Sequence, residues 1–248
     1  MRRLAAITAA CLLFLWAPIA IVAWKGFSVE AFQRLWERPD VLEALLNSLI
    51  LATVSGIGAT LLGTFTAFAL PRMPRLARTL TQGGLLFPML LPEIAFGLAA
   101  MTWFIRMGLP LGWGTLAWSH VAFSFSYATL IMKSHVETVD PGLLDAARDL
   151  GASRWSVFRH GLLPQILPGI VASFVTSFSL SLDDFLISFF VKGMDQMTLP
   201  IQIYGMMKVR IGSEIYALSL LLFCISLAAV LVSQLWLAKK SSSTVHVH

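Results

Sequence analysis

Residues 46–70 read LNSLILATVSGIGATLLGTFTAFAL, an apolar stretch without a single charged residue. A helix needs about 20 mostly apolar residues to cross the hydrocarbon core of a bilayer, and this run supplies them. Ser55, Ala59, Gly63 and Ala67 recur at every fourth position within it. Helical spacing gathers them into one stripe, the pattern by which membrane helices approach one another closely. The stretch therefore predicts a spanning helix whose small-residue face packs on another helix.

On either side of it, the runs 4–24, 81–105, 113–132, 167–191 and 215–237 pass the same length and polarity test. The expectation is an all-α integral membrane protein with six transmembrane helices in a single transmembrane domain over residues 1–248. Composition agrees: hydrophobic residues make up 57% of the 248 and charged residues 12%, whereas a soluble domain carries about 25% charged residues. The mean hydropathy is +0.79. A soluble fold of this size would lack the charges to cover its surface, so lipid is the expected solvent. The first run follows Met1-Arg2-Arg3 and resembles a signal peptide, but it is long for one, and Trp24-Lys25 offers no small-residue cleavage site; it is read as a helix.

The 18 Lys and Arg exceed the 13 Asp and Glu, a balance that in a soluble chain would suggest nucleic acid as partner. Their placement argues against that. All the bases fall in connections: Arg2, Arg3, Arg72, Arg75, Arg78, Lys133, Arg148, Arg154, Arg159, Lys239 and Lys240 on one side, and Lys25, Arg34, Arg38, Arg106, Lys192, Lys208 and Arg210 on the other. The bias puts both termini in the cytoplasm, and the loop from Pro71 to Leu80, with three arginines and no acid, carries most weight. Cys11 and Cys224 lie far apart in apolar runs and offer neither a disulfide framework nor a metal spacing. Ser241 to His248 is polar and reads as a frayed tail, with His246 and His248 as tail residues rather than ligands.

Two connections are too long for turns: 133–166 on the cytoplasmic side and 192–214 outside. In the first, Asp140-Pro141-Gly142 signals a turn, and Leu143, Leu144, Ala147 and Leu150 then recur at helical spacing up to Gly151, a C-terminal stop. A short amphipathic helix outside the membrane follows from this. It either lies on the bilayer surface or docks a cytoplasmic partner.

Asp145-Ala146-Ala147-Arg148-Asp149-Leu150-Gly151, followed by Leu163-Pro164, resembles the EAA motif of permease subunits of bacterial ABC importers. That motif reads Glu-Ala-Ala, three residues, Gly, nine residues, Ile, one residue, Leu-Pro. Asp145 stands where the family has Glu, and Gly161 stands at the Ile position, where it would loosen the packing of the return segment. The resemblance implies a MetI-like, type I importer fold in which residues 143–158 form the coupling helix on a separate ATPase subunit. Asp145, Ala146, Ala147, Gly151, Leu163 and Pro164 would carry that contact. The chain itself has no Gly-x-x-x-x-Gly-Lys-Ser/Thr loop to cradle a nucleotide, and no cofactor is expected.

Three acids lie inside predicted spans: Glu93 in the third, and Asp183 and Asp184 in the fifth. An ionisable group at the bilayer centre costs about 2.5 to 3.5 kcal/mol on insertion scales, so it faces protein or a wet cavity. With no base at their depth, the acids are protonated, paired by another chain, or await a cationic substrate. Glu93 follows Pro88-Met89-Leu90-Leu91-Pro92, whose prolines interrupt the helix; broken helices at membrane depth line cavities in transporters, and a protonated Glu bonded to a freed carbonyl is the alternative. In the fifth span Ser173, Ser177, Ser181, Asp184 and Ser188 form one polar stripe, with Thr176, Ser179 and Asp183 beside it. Ser181-Leu182-Asp183-Asp184 also reads as a capping box opening a new half-helix, which would make one Asp structural and the roles of the two unequal. His120 reads as a satisfied packing residue.

Ser181-Leu182-Asp183-Asp184-Phe185, Ser188-Phe189-Phe190-Val191, Thr198-Leu199-Pro200, Ile203-Tyr204, Glu214 and Ala217-Leu218 are similar to the spermidine/putrescine permease subfamily, in particular its second permease subunit. Pro92-Glu93-Ile94 and Ser119-His120 fit it too, whereas Lys192-Gly193-Met194-Asp195 departs from it in the external loop. The resemblance implies a bacterial cytoplasmic (inner) membrane protein and a polyamine substrate. Its partners would be an ATP-binding subunit dimer in the cytoplasm, a homologous permease, an external polyamine-binding protein and the lipid bilayer, with no nucleic acid. Polyamines carry several ammonium groups, which separated carboxylates pair and aromatic faces attract. The expected path residues are Glu93, Asp183, Asp184, Phe185, Phe189 and Tyr204. The same machine for another cation such as thiamine, and a proton-coupled carrier using the acids as a relay, remain the alternatives.

Overall fold

The computed structural model describes residues 2–209 and 212–245; Arg210, His246 and His248 lie outside the described residues. In chain order the helices are α1 (Arg2–Gly26), α2 (Val29–Trp36), α3 (Pro39–Ala69), α4 (Arg75–Leu90), α5 (Glu93–Arg106), α6 (Trp113–Val136), α7 (Pro141–Asp149), α8 (Arg154–Ser156), α9 (Leu163–Leu182), α10 (Leu186–Val191), α11 (Leu199–Val209) and α12 (Ser213–Val245). A 3₁₀ turn (Leu70–Arg72) ends α3, and a π-helical turn (Val157–Leu162) leads into α9. Among the described residues every regular element is helical.

The centre is a trio of α3, α6 and α9. Its closeness is written in the small-residue stripe of α3. Ser55 and Ala59 are fully buried, and a Cβ on Gly63 would stand 2.8 Å from the amide nitrogen of Thr129 and 2.9 Å from the carbonyl carbon of Ala128. Backbone meets backbone there, so only glycine fits. Gly56 likewise leaves room for the Phe174 ring. Around the trio, α1 packs along α12, and Ala31 and Leu35 of α2 join Ala217 and Leu218 of α12 in a second core with Val41 and Ala44. Large apolar side chains such as Leu13, Phe14, Phe65 and Leu235 stand fully outward from this framework, as they do where lipid replaces water.

Three helical runs, 39–72, 154–182 and 213–235, are long and apolar enough to cross a membrane among the described residues, and up to five crossings result if each of two bent pairs counts as one. α6, the predicted fourth span, is not among them. At 24 residues it is long enough, about 36 Å at 1.5 Å per residue. Its buried Ser119, His120, Ser124, Ser126 and Thr129 lower its hydropathy, because a helix enclosed by other helices has no need of an apolar surface toward lipid.

Two predicted spans are not continuous helices. The third, 81–105, breaks at Leu91–Pro92, where α4 and α5 turn by 110°; Leu91 is extended at ψ 139°, the conformation a following proline imposes. The fifth, 167–191, breaks at Asp183–Phe185 between α9 and α10. The sixth runs past its predicted end at 237 to Val245, so the part of the polar tail that is described, 241–245, is helical rather than frayed.

Candidate functional site

The two breaks lie against each other. A Cβ on Gly97 in α5 would stand 3.0 Å from the Phe190 ring and 3.2 Å from the Ile187 Cα, so α5 rests directly on the backbone of α10. Glu93, one helical turn before Gly97, is thereby brought within electrostatic reach of Asp184, and Asp183 within reach of both. The acids predicted from separate spans do converge.

They do not share one environment. Asp184 is 8% exposed; its Oδ1 accepts the N–H of Ile187 at 3.1 Å and its Oδ2 the N–H of Ser188 at 2.8 Å. These are amides that the first turn of a helix leaves without partners, so Asp184 opens α10. Asp183 closes α9, its N–H bonded to the Ser179 carbonyl, and it is exposed, as is Glu93. The new half-helix expected after Ser181 exists, but Ser181 does not cap it; Asp184 does.

Ser181 is engaged elsewhere. Its hydroxyl lies 2.7 Å from His120 Nδ1, and the Ser188 hydroxyl lies 2.9 Å from Nε2. Asp184 Oδ2 is 3.4 Å from the same Nε2. A bare ring nitrogen would oppose its lone pair to that carboxylate, so Nε2 carries the proton and Nδ1 accepts from Ser181. His120 was expected to be a satisfied packing residue, and it is satisfied, but by both halves of a broken helix. A signal was available in the sequence: Ser181 and Ser188, seven residues apart on the polar stripe, needed a partner from another helix. Ser173 of the same stripe also reaches α6, donating to the Ala128 carbonyl at 3.2 Å.

The aromatic candidates gather next to the break. Phe185 lies 4.8 Å from the Tyr204 ring and 5.5 Å from Phe189, centroid to centroid. Tyr204 is placed by α11, which is fixed to α3 by Ser48 accepting the Leu199 N–H at 2.7 Å and by Gln202 donating to Asp40 at 2.7 Å. The Lys208 ammonium sits 4.5 Å from the Tyr204 ring centroid, so a cation of the chain itself lies over one face of this ring.

The second candidate region is the connection 133–166. Asp140 accepts the Gly142 N–H at 2.8 Å and starts α7. Gly151, at φ +83°, ends it in the left-handed conformation that glycine alone adopts freely. Asp145 pairs with Arg148 at 2.8 Å on an exposed face with Ala146, and Ala147 is half-buried. Leu163 and Pro164 begin α9 after the π turn, where the Leu163 N–H reaches the Phe158 carbonyl five residues back. Gly161 does not loosen this segment: a Cβ there would stand 3.0 Å from Leu144 Cδ2, so the missing side chain is filled by Leu144. Leu150 and Trp155 project outward, 90% and 65% exposed.

Acids gathered at paired helix breaks, and a short helix outside the central trio followed by the exposed Leu150 and Trp155, fit a membrane transport subunit. The chain belongs to the family described as binding-protein-dependent transport system inner membrane component, which matches residues 59–240. It is 35% identical over 214 residues to the spermidine/putrescine transport system permease protein PotC of Escherichia coli (strain K12), covering 86% of this chain and 81% of that protein. Identity to the putrescine transport system permease protein PotI of the same organism is 30%, covering 82% and 74%. The fold is shared with a bacterial ABC transporter that imports the acidic polysaccharide alginate, at a TM-score of 0.70 and 16% identity over 94% of this chain and 92% of that one. The MetNI methionine ABC transporter in an inward-facing conformation gives a TM-score of 0.65 at 16% identity, over 81% and 95%.

Proposed function

We propose that this chain is the transmembrane permease subunit of an ATP-driven ABC importer that moves polyamines of the spermidine/putrescine type inward by alternating access. The observation that carries the reading is the 35% identity to a permease named for those substrates across 86% of the chain. The chain is a transport subunit and not an enzyme; ATP is hydrolysed by a separate subunit that receives α7. A homologous permease completes the membrane unit, and an external binding protein delivers the cation. In this reading the chain crosses the cytoplasmic membrane six times with both termini inside, α6 crossing within the protein interior and the broken pairs α4–α5 and α9–α10 lining the path.

The division between the two aspartates supports a division of labour. Asp183 and Glu93, both exposed, pair with the ammonium groups, and Phe185, Phe189 and Tyr204 offer ring faces to the same cation. Asp184 supports the path by holding α10. Two neighbouring exposed carboxylates, rather than a single buried one, suit a chain of two to four positive charges and hold it weakly enough to release it.

The test is labelled spermidine uptake by the complex reconstituted with its ATPase and binding protein. ATP-dependent uptake competed by putrescine and not by thiamine is expected. Uptake of thiamine in place of spermidine, or spermidine uptake that persists without the ATPase and follows a proton gradient, overturns the reading.

A further inference from the structure

α10 has six residues, far fewer than the 12 to 15 or so that an isolated helix needs in water to be even marginally stable. Its geometry must come from outside it. Asp184 bonds its first amides, and Thr115 at the start of α6 donates to the Val191 carbonyl at its last residue, at 2.7 Å. Between these, His120 contacts three groups across the break: Ser181 at the end of α9, Asp184 in the break and Ser188 within α10. The imidazole is 2% exposed, and its two nitrogens point in diverging directions, which lets one rigid ring join hydroxyls from two helices.

We propose that His120 is the positioning residue of the path: it locks α9 to α10 at a fixed angle and so sets where Asp183 and Phe185, the residues of the break itself, present their side chains. The hydroxyls alone cannot do this, because each belongs to one half of the break. Neither can Asp184, which bonds only α10 and the ring. His120 touches no substrate in this scheme; it acts through the two half-helices. The role as a path-setting residue rests on the transport function proposed above, while the lock itself does not.

The experiment uses the complete complex in lipid nanodiscs and proteoliposomes, comparing wild type, His120→Ala and His120→Gln. Glutamine keeps one donor and one acceptor on a planar group and serves as the conservative replacement. Hydrogen exchange at the amides of residues 186–191 is expected to quicken by about tenfold or more in His120→Ala and to return toward wild type in His120→Gln. Spermidine imported per ATP hydrolysed is expected to fall roughly tenfold in His120→Ala, as misplaced binding groups lose efficiency, with complex abundance and ATP hydrolysis retained. Unchanged exchange at 186–191 overturns the lock. A loss of uptake that only follows loss of assembled complex, with uptake per ATP intact, overturns the positioning role. A wild-type complex that imports no polyamine refutes the function and leaves the exchange comparison to decide the lock.

Discussion

Asp183 closes α9 and Asp184 opens α10: the first carboxylate is exposed, and the second is buried with both oxygens accepting backbone amides. Adjacent in sequence, they give opposite expectations on neutralisation. Asp183→Asn removes a charge and leaves the backbone alone, so labelled spermidine uptake by the reconstituted complex should fall by tenfold or more, roughly one charge-assisted contact, with normal complex yield. Asp184→Ala leaves two buried amides without acceptors, at about 1 to 3 kcal/mol each, and should show first as a lowered yield and thermal midpoint of the purified complex. Equal effects of the two substitutions on yield would contradict the division.

Gly63 reports on the α3–α6 contact. Because the atoms facing it belong to backbone, a larger residue cannot be accommodated by rotating a neighbour. Gly63→Val is expected to cost about 3 kcal/mol, at the upper end of overpacking penalties, seen as loss of folded protein in a detergent-resistance or thermal aggregation assay. Gly83→Ala, at a glycine with open space around it, serves as the neutral comparison.

Gly151 has open space around its missing side chain and a φ of +83°, so its replacement is penalised by backbone alone. Gly151→Asn, which tolerates that region, should keep the ATPase subunit bound during affinity purification. Gly151→Val should release it, at about 1 to 3 kcal/mol of local strain. Retention with valine would remove the end of α7 from the docking surface.

Leu144 and Gly161 form a complementary pair. Gly161→Ile restores the residue usual in the family but drives into Leu144 Cδ2, and should lower spermidine-stimulated ATP hydrolysis. Adding Leu144→Ala should restore much of it, with a coupling energy of about 0.5 to 3 kcal/mol in the double-mutant cycle. Strict additivity would mean that the two side chains do not compete for one space.

The helical architecture was legible because lipid demands long apolar runs, and the runs at 4–24, 46–70 and 215–237 all correspond to helices. The breaks were legible only in part. Pro92 announced the first chemically, but its 110° turn depends on α5 finding a seat on α10, a contact between distant parts of the chain. The second break has no proline; its signal was the pair of acids, and sequence spacing alone could not say which one would turn inward. Asp184 turns inward where it accepts the Ile187 and Ser188 amides and meets His120, sixty-four positions earlier, a neighbour readable only once α6 and α9 lie side by side. Gly161 misled for the same reason: its partner Leu144 lies on another element, so the glycine read as a gap when it is a socket.

The π turn at Val157–Leu162 joins α7, through the Leu144–Gly161 contact, to the start of the helix that ends at Asp183. That helix is 20 residues long, about 30 Å. One continuous helix thus runs from the α7 contact to the break and ends where the exposed carboxylate begins. Pro168 is the residue inside it that cannot donate to the helical ladder, and it sits next to the base and far from the tip, so the stretch from there to the break is a single unbroken rod.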